Sequence, residues 1–113
     1  MIVLFTDFGL HDPYVGQVHG ALAKLAPRQP VIDLLHNLRK FDVQSAAYLL
    51  PTYLGEFPQG TVFLCVVDPG VGGTRLPVML NADERWFVGP DNGLFSIMAR
   101  RAVSVSCYEI IWR

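Results

Sequence analysis

The chain has few cysteines and few charges. Cys65 and Cys107 are the only thiols among its 113 residues, and they form no C-x-x-C pair. That excludes a thiolate zinc site and a dithiol redox motif as readings. Each cysteine lies in an apolar run, where a reduced thiol serves as a small hydrophobe. Only 17% of residues are charged, and the formal net charge is −1. Such a balance offers nothing electrostatic to nucleic acid or to an anionic membrane. Arg39-Lys40 and Arg100-Arg101 are isolated basic pairs, read as solvated rather than as a binding stripe. His11, His19 and His36 show no metal-ligand spacing, so no metal is expected. Long hydrophobic runs are missing as well. "IVLF" at the N-terminus is too short for a signal-peptide core, and "VFLCVV" is far short of a membrane span. No internal repeat or low-complexity linker is found. The expected location is the cytoplasm.

What the chain does have is apolar content, 51% of residues, enough for the core of one small domain over 1–113. Strand-like and helix-like segments alternate. "IVLF" (2–5) reads as a strand buried on both faces, "VIDLL" (31–35) as a second strand and "TVFLCVV" (61–67) as the strongest strand of the chain. Asp12-Pro13 reads as a helix start, with Val15, Val18, Leu22 and Leu25 at helical spacing and Pro27 as the stop. Gly16 and Gly20 would let that helix approach a neighbour closely. Asp42 reads as the cap of a second helix, carrying Val43, Ala46, Ala47, Leu50 and Leu54 on one side, with Pro51 kinking or ending it. "LPVMLNA" and "RWFVG", separated by Asp83-Glu84, read as a hairpin. "PDNG" is turn chemistry, Leu94 to Arg101 a short helix, and "VSVSCYEI" a last alternating strand. The chain closes on apolar "YEIIWR", so an incomplete domain is expected.

Strand–helix alternation with short connections predicts an α/β fold: a Rossmann-like layered domain with a mostly parallel central sheet flanked by helices. Ligands in such sheets bind beyond the carboxyl ends of the strands. "TDFG", the loop at His36 and "DPGVGGTR" each follow a strand, so three polar loops should line one crevice. A phosphate loop is a poor reading of "DPGVGGTR", because its glycines lead into a strand and no GK[ST] follows. A structural turn is the plain alternative. Its placement, with Asp68 and Arg75 at the ends of a glycine-rich arc, favours a functional rim. The kinase-like "TDFG" stands without the other kinase motifs and carries no weight. An acid at the end of a first parallel strand, here Asp7, nevertheless suits the two hydroxyls of a ribose. His19 reads as a packed helix histidine, while His36 ends a strand and can reach the crevice.

Taken in order, "TDFG" with "DPYVGQVHG", "VIDLLHNL", "FDVQSAAYLL", "FPQGTVFLCVVDPGVGGTR" and "FVGPDNGLFS" resemble the S-adenosyl-L-methionine (SAM) hydrolases, also called SAM hydroxide adenosyltransferases, relatives of the fluorinases and chlorinases. The resemblance runs from Ile2 to about Ser96. It implies an N-terminal α/β domain here, a C-terminal β-barrel absent from this chain, and a homotrimer for the full-length protein. The implied reaction is water attack at the ribose C5′ of SAM, giving adenosine and methionine, with SAM as substrate and no dissociable cofactor. Asp68 and Arg75 match the first two members of the family's Asp–Arg–His set, and the His is expected beyond residue 113. Asp7 matches the ribose-binding acid. Asp12 and Phe41 match acid and aromatic positions near the ligand. The halogenases carry Tyr at position 68, so Asp68 favours water over halide. A halogenase of the same superfamily and a non-catalytic adenosine-binding or assembly module are the alternatives.

Overall fold

The apolar runs do form strands, and their order in space sets the position of the crevice. The computed structural model describes residues 1–39, 42–67 and 77–110. Along the chain run β1 (Ile2–Thr6), α1 (Tyr14–Leu25), β2 (Val31–Leu35), α2 (Val43–Tyr53), β3 (Val62–Val66), β4 (Pro77–Ala82), β5 (Arg85–Pro90), α3 (Ser96–Arg101) and β6 (Val105–Glu109). The described strands make one sheet in the order β2-β1-β3-β5-β4-β6. β1 pairs in parallel with β2 and β3, and β3 in parallel with β5. β4 runs antiparallel to both β5 and β6. The result is a mixed α/β domain with a mostly parallel sheet flanked by helices.

β1 is flanked by strands on both sides, and its Val3, Leu4 and Phe5 have no exposed surface. That placement accounts for its unbroken apolar run. β3 instead alternates, burying Phe63 and Cys65 on one face. That face carries the core: Phe63 stacks on Phe87 with centroids 5.0 Å apart, and Ala46 and Leu50 of α2 and Met98 of α3 close over the cluster. α1 contributes no buried residue to it. Topology explains the difference. The chain steps outward from β1 to β2, then back across β1 to β3, and right-handed crossovers in opposite directions put α1 and α2 on opposite faces.

α2 starts where its cap predicts. The Asp42 carboxylate accepts from Ser45 N at 3.0 Å and from Ser45 Oγ at 2.8 Å. Past Pro51 the helix lasts only to Tyr53, then tightens into a 3-10 turn over Leu54–Glu56, as expected where proline removes a ladder donor. The hairpin also forms, with Asp83 (φ 49°) and Glu84 (φ 66°) both left-handed. Two-residue hairpin turns of type I′ demand that conformation. Asp83 is held there by accepting from the backbone N–H groups of Val103 and Ser104.

Three expectations for α1 fail. Asp12 does not cap it: Pro13 occupies the N-cap position without a side-chain hydrogen bond, and Gln17 N closes the first turn on Pro13 O at 2.9 Å. A residue before proline is pushed out of the helical region, which leaves Asp12 too early to reach the free N–H groups. Gly16 and Gly20 are not at a close approach, since an added Cβ on either meets nothing within 4 Å. The apolar stripe is not buried, and Leu25 is 82% exposed. Elsewhere, the third helix begins at Ser96 rather than Leu94, and β6 is exposed along its length.

Candidate functional site

The order of the strands reverses between β1 and β3: β1 is followed by its neighbour β2 on one side, and the chain then returns to β3 on the other. In open α/β sheets the crevice at such a switch lies outside the carboxyl ends of the two strands. The turn after β1, Thr6 to Gly9, stands at that point. Asp7 N donates to Val66 O at 3.1 Å, so the turn is still tied to the end of β3. Asp7 itself is only 9% exposed. Gly9 is left-handed (φ 77°), a conformation glycine adopts without steric cost. Phe8 meets Tyr14, the first residue of α1, with ring centroids 6.0 Å apart, bracing the loop between.

The loop after β2 reaches the same turn through His36, which is buried. Its Nδ1 lies 2.7 Å from Thr6 Oγ1, and its backbone oxygen accepts from Gly9 N at 2.6 Å. Its Nε2 lies 2.6 Å from Asp33 Oδ1. Asp33 in turn meets His19 Nε2 of α1, at 2.8 Å and 3.0 Å from its two oxygens. His19 is therefore not a packed helix histidine; it faces β2 at the surface and pairs with a carboxylate. Partial burial works to raise the Asp33 carboxyl. The hydrogen bonds from His36 and His19, with their charge, outweigh it and hold the group below the ordinary carboxylate value.

A third loop, after β5, grips the end of β3. Asn92 Nδ2 donates to Val67 O at 2.7 Å, while its Oδ1 accepts from Leu94 N at 3.2 Å. Val67 is wholly buried and immediately precedes Asp68. Asp68, Arg75 and Phe41 lie outside the described residues. Of the other expected site residues, Asp7 sits at the switch point, and Asp12 is exposed on the loop between β1 and α1. Thr6, Asp33 and Asn92 take part in the hydrogen bonds that hold the turn after β1 and the end of β3, and sequence reasoning passed over them. The signal for Asp33 was a carboxylate inside the apolar run "VIDLL"; Asn92 was hidden in what reads as ordinary turn chemistry. Among the described residues no group of three or more His, Cys, Asp or Glu could hold a metal ion, and no helix is long and apolar enough to cross a membrane.

A mostly parallel sheet with a switch point between β1 and β3, and a buried acid in the turn at that point, define a layered α/β domain. The chain belongs to the SAM hydroxide adenosyltransferase N-terminal domain family, whose model matches residues 2–113. It is 50% identical over 97 residues to a (R)-S-adenosyl-L-methionine hydrolase of Thermus thermophilus, covering 85% of this chain and 37% of that protein. It is 24% identical to a fluorinase of Nocardia brasiliensis, over 97% of this chain and 44% of that enzyme. A crystal structure of a conserved protein from Thermotoga maritima superposes with a TM-score of 0.93 at 35% identity, covering 98% of this chain and 43% of that one. The chain thus spans less than half the length of these relatives.

Proposed function

We propose that the chain is the N-terminal part of an enzyme that hydrolyses SAM to adenosine and L-methionine. The observation carrying this reading is the buried Asp7 at the β1/β3 switch point of a domain half identical to a protein named a SAM hydrolase. In this reading Asp7 accepts hydrogen bonds from the ribose hydroxyls, with Asp12 and Phe41 near the ligand. Asp68 and Arg75 act on the water, together with a His from beyond residue 113.

The chemistry assigns these roles. The sulfonium is a full positive charge that disappears as the nucleophile arrives. A carboxylate held against it would stabilise the ground state more than the transition state and oppose the rate. Asp68 is therefore assigned to orienting the ribose and the water. Arg75, charged at all accessible pH, keeps Asp68 ionised and favours hydroxide character on the water. Alignment supplies roughly 7–11 kcal/mol in favourable cases, and general-base help about 10²–10⁴-fold. Orientation in a dry pocket is the larger contribution. No metal or dissociable cofactor enters the scheme, and the intact protein is proposed to be a cytoplasmic homotrimer.

Incubation of the intact enzyme with SAM, with adenosine and methionine followed by chromatography, tests the reading. Asp68→Asn should lower turnover at least about 100-fold, the scale of a misplaced reacting group; near-normal adenosine release by that variant would refute the assignment. Halogenation is the second reading. The more distant match to a fluorinase keeps it open, and Asp68 in place of Tyr speaks against it. Formation of a 5′-halo-adenosine from SAM and chloride or fluoride would establish it instead.

A further inference from the structure

We infer that His36 is a positioning residue for Asp7, acting as a fixed hydrogen-bond acceptor in a one-way chain that runs from the turn after β1 to Asp33. The inference rests on the proposed role of Asp7 at the ribose.

Four contacts define the chain. An ionised Asp33 carboxylate can only accept, so the proton in the 2.6 Å contact belongs to His36 Nε2. In the neutral imidazole this leaves Nδ1 as an acceptor, and Thr6 Oγ1 at 2.7 Å donates to it. With its own hydrogen committed, Thr6 Oγ1 presents lone pairs to Phe8 N at 3.2 Å. The His36 backbone oxygen takes Gly9 N at 2.6 Å. One residue thus fixes both N–H groups that follow Asp7, one directly and one through Thr6. Thr6 and His36 are both nearly inaccessible to solvent, so water does not readily replace either partner. A protonated imidazole would reverse the Thr6 hydroxyl and leave its hydrogen without the acceptor it now uses.

Asp33 and His19 fix the far end. The Asp33 carboxylate lies between the two imidazoles, and it holds the His36 ring in the tautomer the turn requires. The device is a relay of orientation: the group that touches the ligand is Asp7, and His36 acts only through the turn.

Three replacements separate this role from mere packing. His36→Asn keeps an acceptor near the Nδ1 position, whereas His36→Gln keeps a donor toward Asp33 but loses that acceptor. Thr6→Val keeps the shape of the side chain and removes the hydroxyl. The intact enzyme and its variants should be titrated with adenosine and with 2′-deoxyadenosine by calorimetry, with melting temperature recorded alongside. The parent should prefer adenosine by about tenfold or more, the scale of one lost hydrogen bond to a charged group. His36→Gln and Thr6→Val should reduce that preference to below about threefold, and His36→Asn should largely retain it. Long-range proton–nitrogen NMR of the parent should report the Nε2–H tautomer for His36. Thr6→Val with an undiminished preference, or an Nδ1–H tautomer, would overturn the inference while leaving the SAM reading intact. Absence of any nucleoside binding by the parent would overturn the ribose role of Asp7 and this inference with it, whatever the NMR shows.

Discussion

Gly89 is a position where the fold leaves no room for a single methyl group. It lies near the end of β5, just past Val88, the last residue of that strand paired with β3. A Cβ built there would lie inside van der Waals contact of the Cys65 backbone oxygen and 2.9 Å from Phe95 Cζ. Close approach of backbone to backbone is responsible, since the dihedral angle at Gly89 is not left-handed. The Phe95 ring can turn aside, but the Cys65 carbonyl belongs to the central strand β3 and cannot. Gly89→Ala must therefore push β5 away from β3. Overpacking of this kind costs about 1–3 kcal/mol, and a rigid backbone neighbour places it near 3. For a domain of this size each kcal/mol moves the melting temperature by about 4–8 °C, so a fall of roughly 12–24 °C is expected. Paired urea and thermal melts of Gly89→Ala and of Gly89→Ala with Phe95→Leu would measure it. Relieving the ring should recover less than half of the loss. A Gly89→Ala variant within about 0.5 kcal/mol of the parent would refute the reasoning, because that is the range of unconstrained surface substitutions.

Three further outcomes follow from local structure. Glu84, left-handed at φ 66° in a two-residue turn, should be improved by Glu84→Gly, raising stability by about 0.5–1 kcal/mol in urea melts. Asp33 and Asp42 both titrate below the ordinary carboxylate value when folded. Each therefore contributes stability above its unfolded value of about 3.9, and that contribution is lost as pH falls through the lower folded value. Asp33→Asn should flatten the acid limb of a stability–pH curve below about pH 4; an unchanged limb would contradict the pairing with His36 and His19. Burial pushes the Cys65 thiol well up, while Cys107 is exposed. A thiol reagent should therefore label Cys107 in the native chain and Cys65 only on unfolding.

Much of the architecture was legible because it is encoded locally. "VIDLL" over 31–35 is β2 without adjustment, and Asp42 before an apolar helical stripe is a cap in fact. Asp83-Glu84 marks the hairpin because little else separates two strand-like runs. Similar signals failed where a neighbouring residue or a distant part of the chain decided the outcome. Asp12-Pro13 has the chemistry of a helix start, yet the proline displaces the start by one position and strands the acid. The α1 stripe of Val15, Val18, Leu22 and Leu25 predicts a buried face. Burial depends on what lies opposite, and the core formed on the other side of the sheet. His19 was misread for the same reason: its partner Asp33 is on β2, in register with Leu4 of β1, and nothing within α1 announces it. The catalytic pair suggested by "DPGVGGTR" lies outside the described residues, so its reading still rests on the resemblance and on the end of β3 from which it departs.

On the proposed reading, the turn after β1 and the end of β3 have a property that bears on catalysis by orientation. The three backbone N–H groups from Asp7 to Gly9 are each engaged, by Val66 O, Thr6 Oγ1 and His36 O. A carboxylate in a tight turn commonly folds back onto the N–H two residues on, forming an Asx turn. Here that donor, Gly9 N, is held by His36 O of the loop after β2. On the far side, Asn92 fixes the carbonyl of Val67, the residue before Asp68. The segments leading to both acids are thus pinned by side chains from other loops. A reaction whose barrier is lowered chiefly by alignment needs its groups placed before substrate arrives, since any reordering on binding would draw on the same binding energy. Loosening Asn92, as in Asn92→Ala, should accordingly lower turnover of the intact enzyme more than its affinity for SAM. A pure KM effect in steady-state kinetics would show that the clamp serves binding alone.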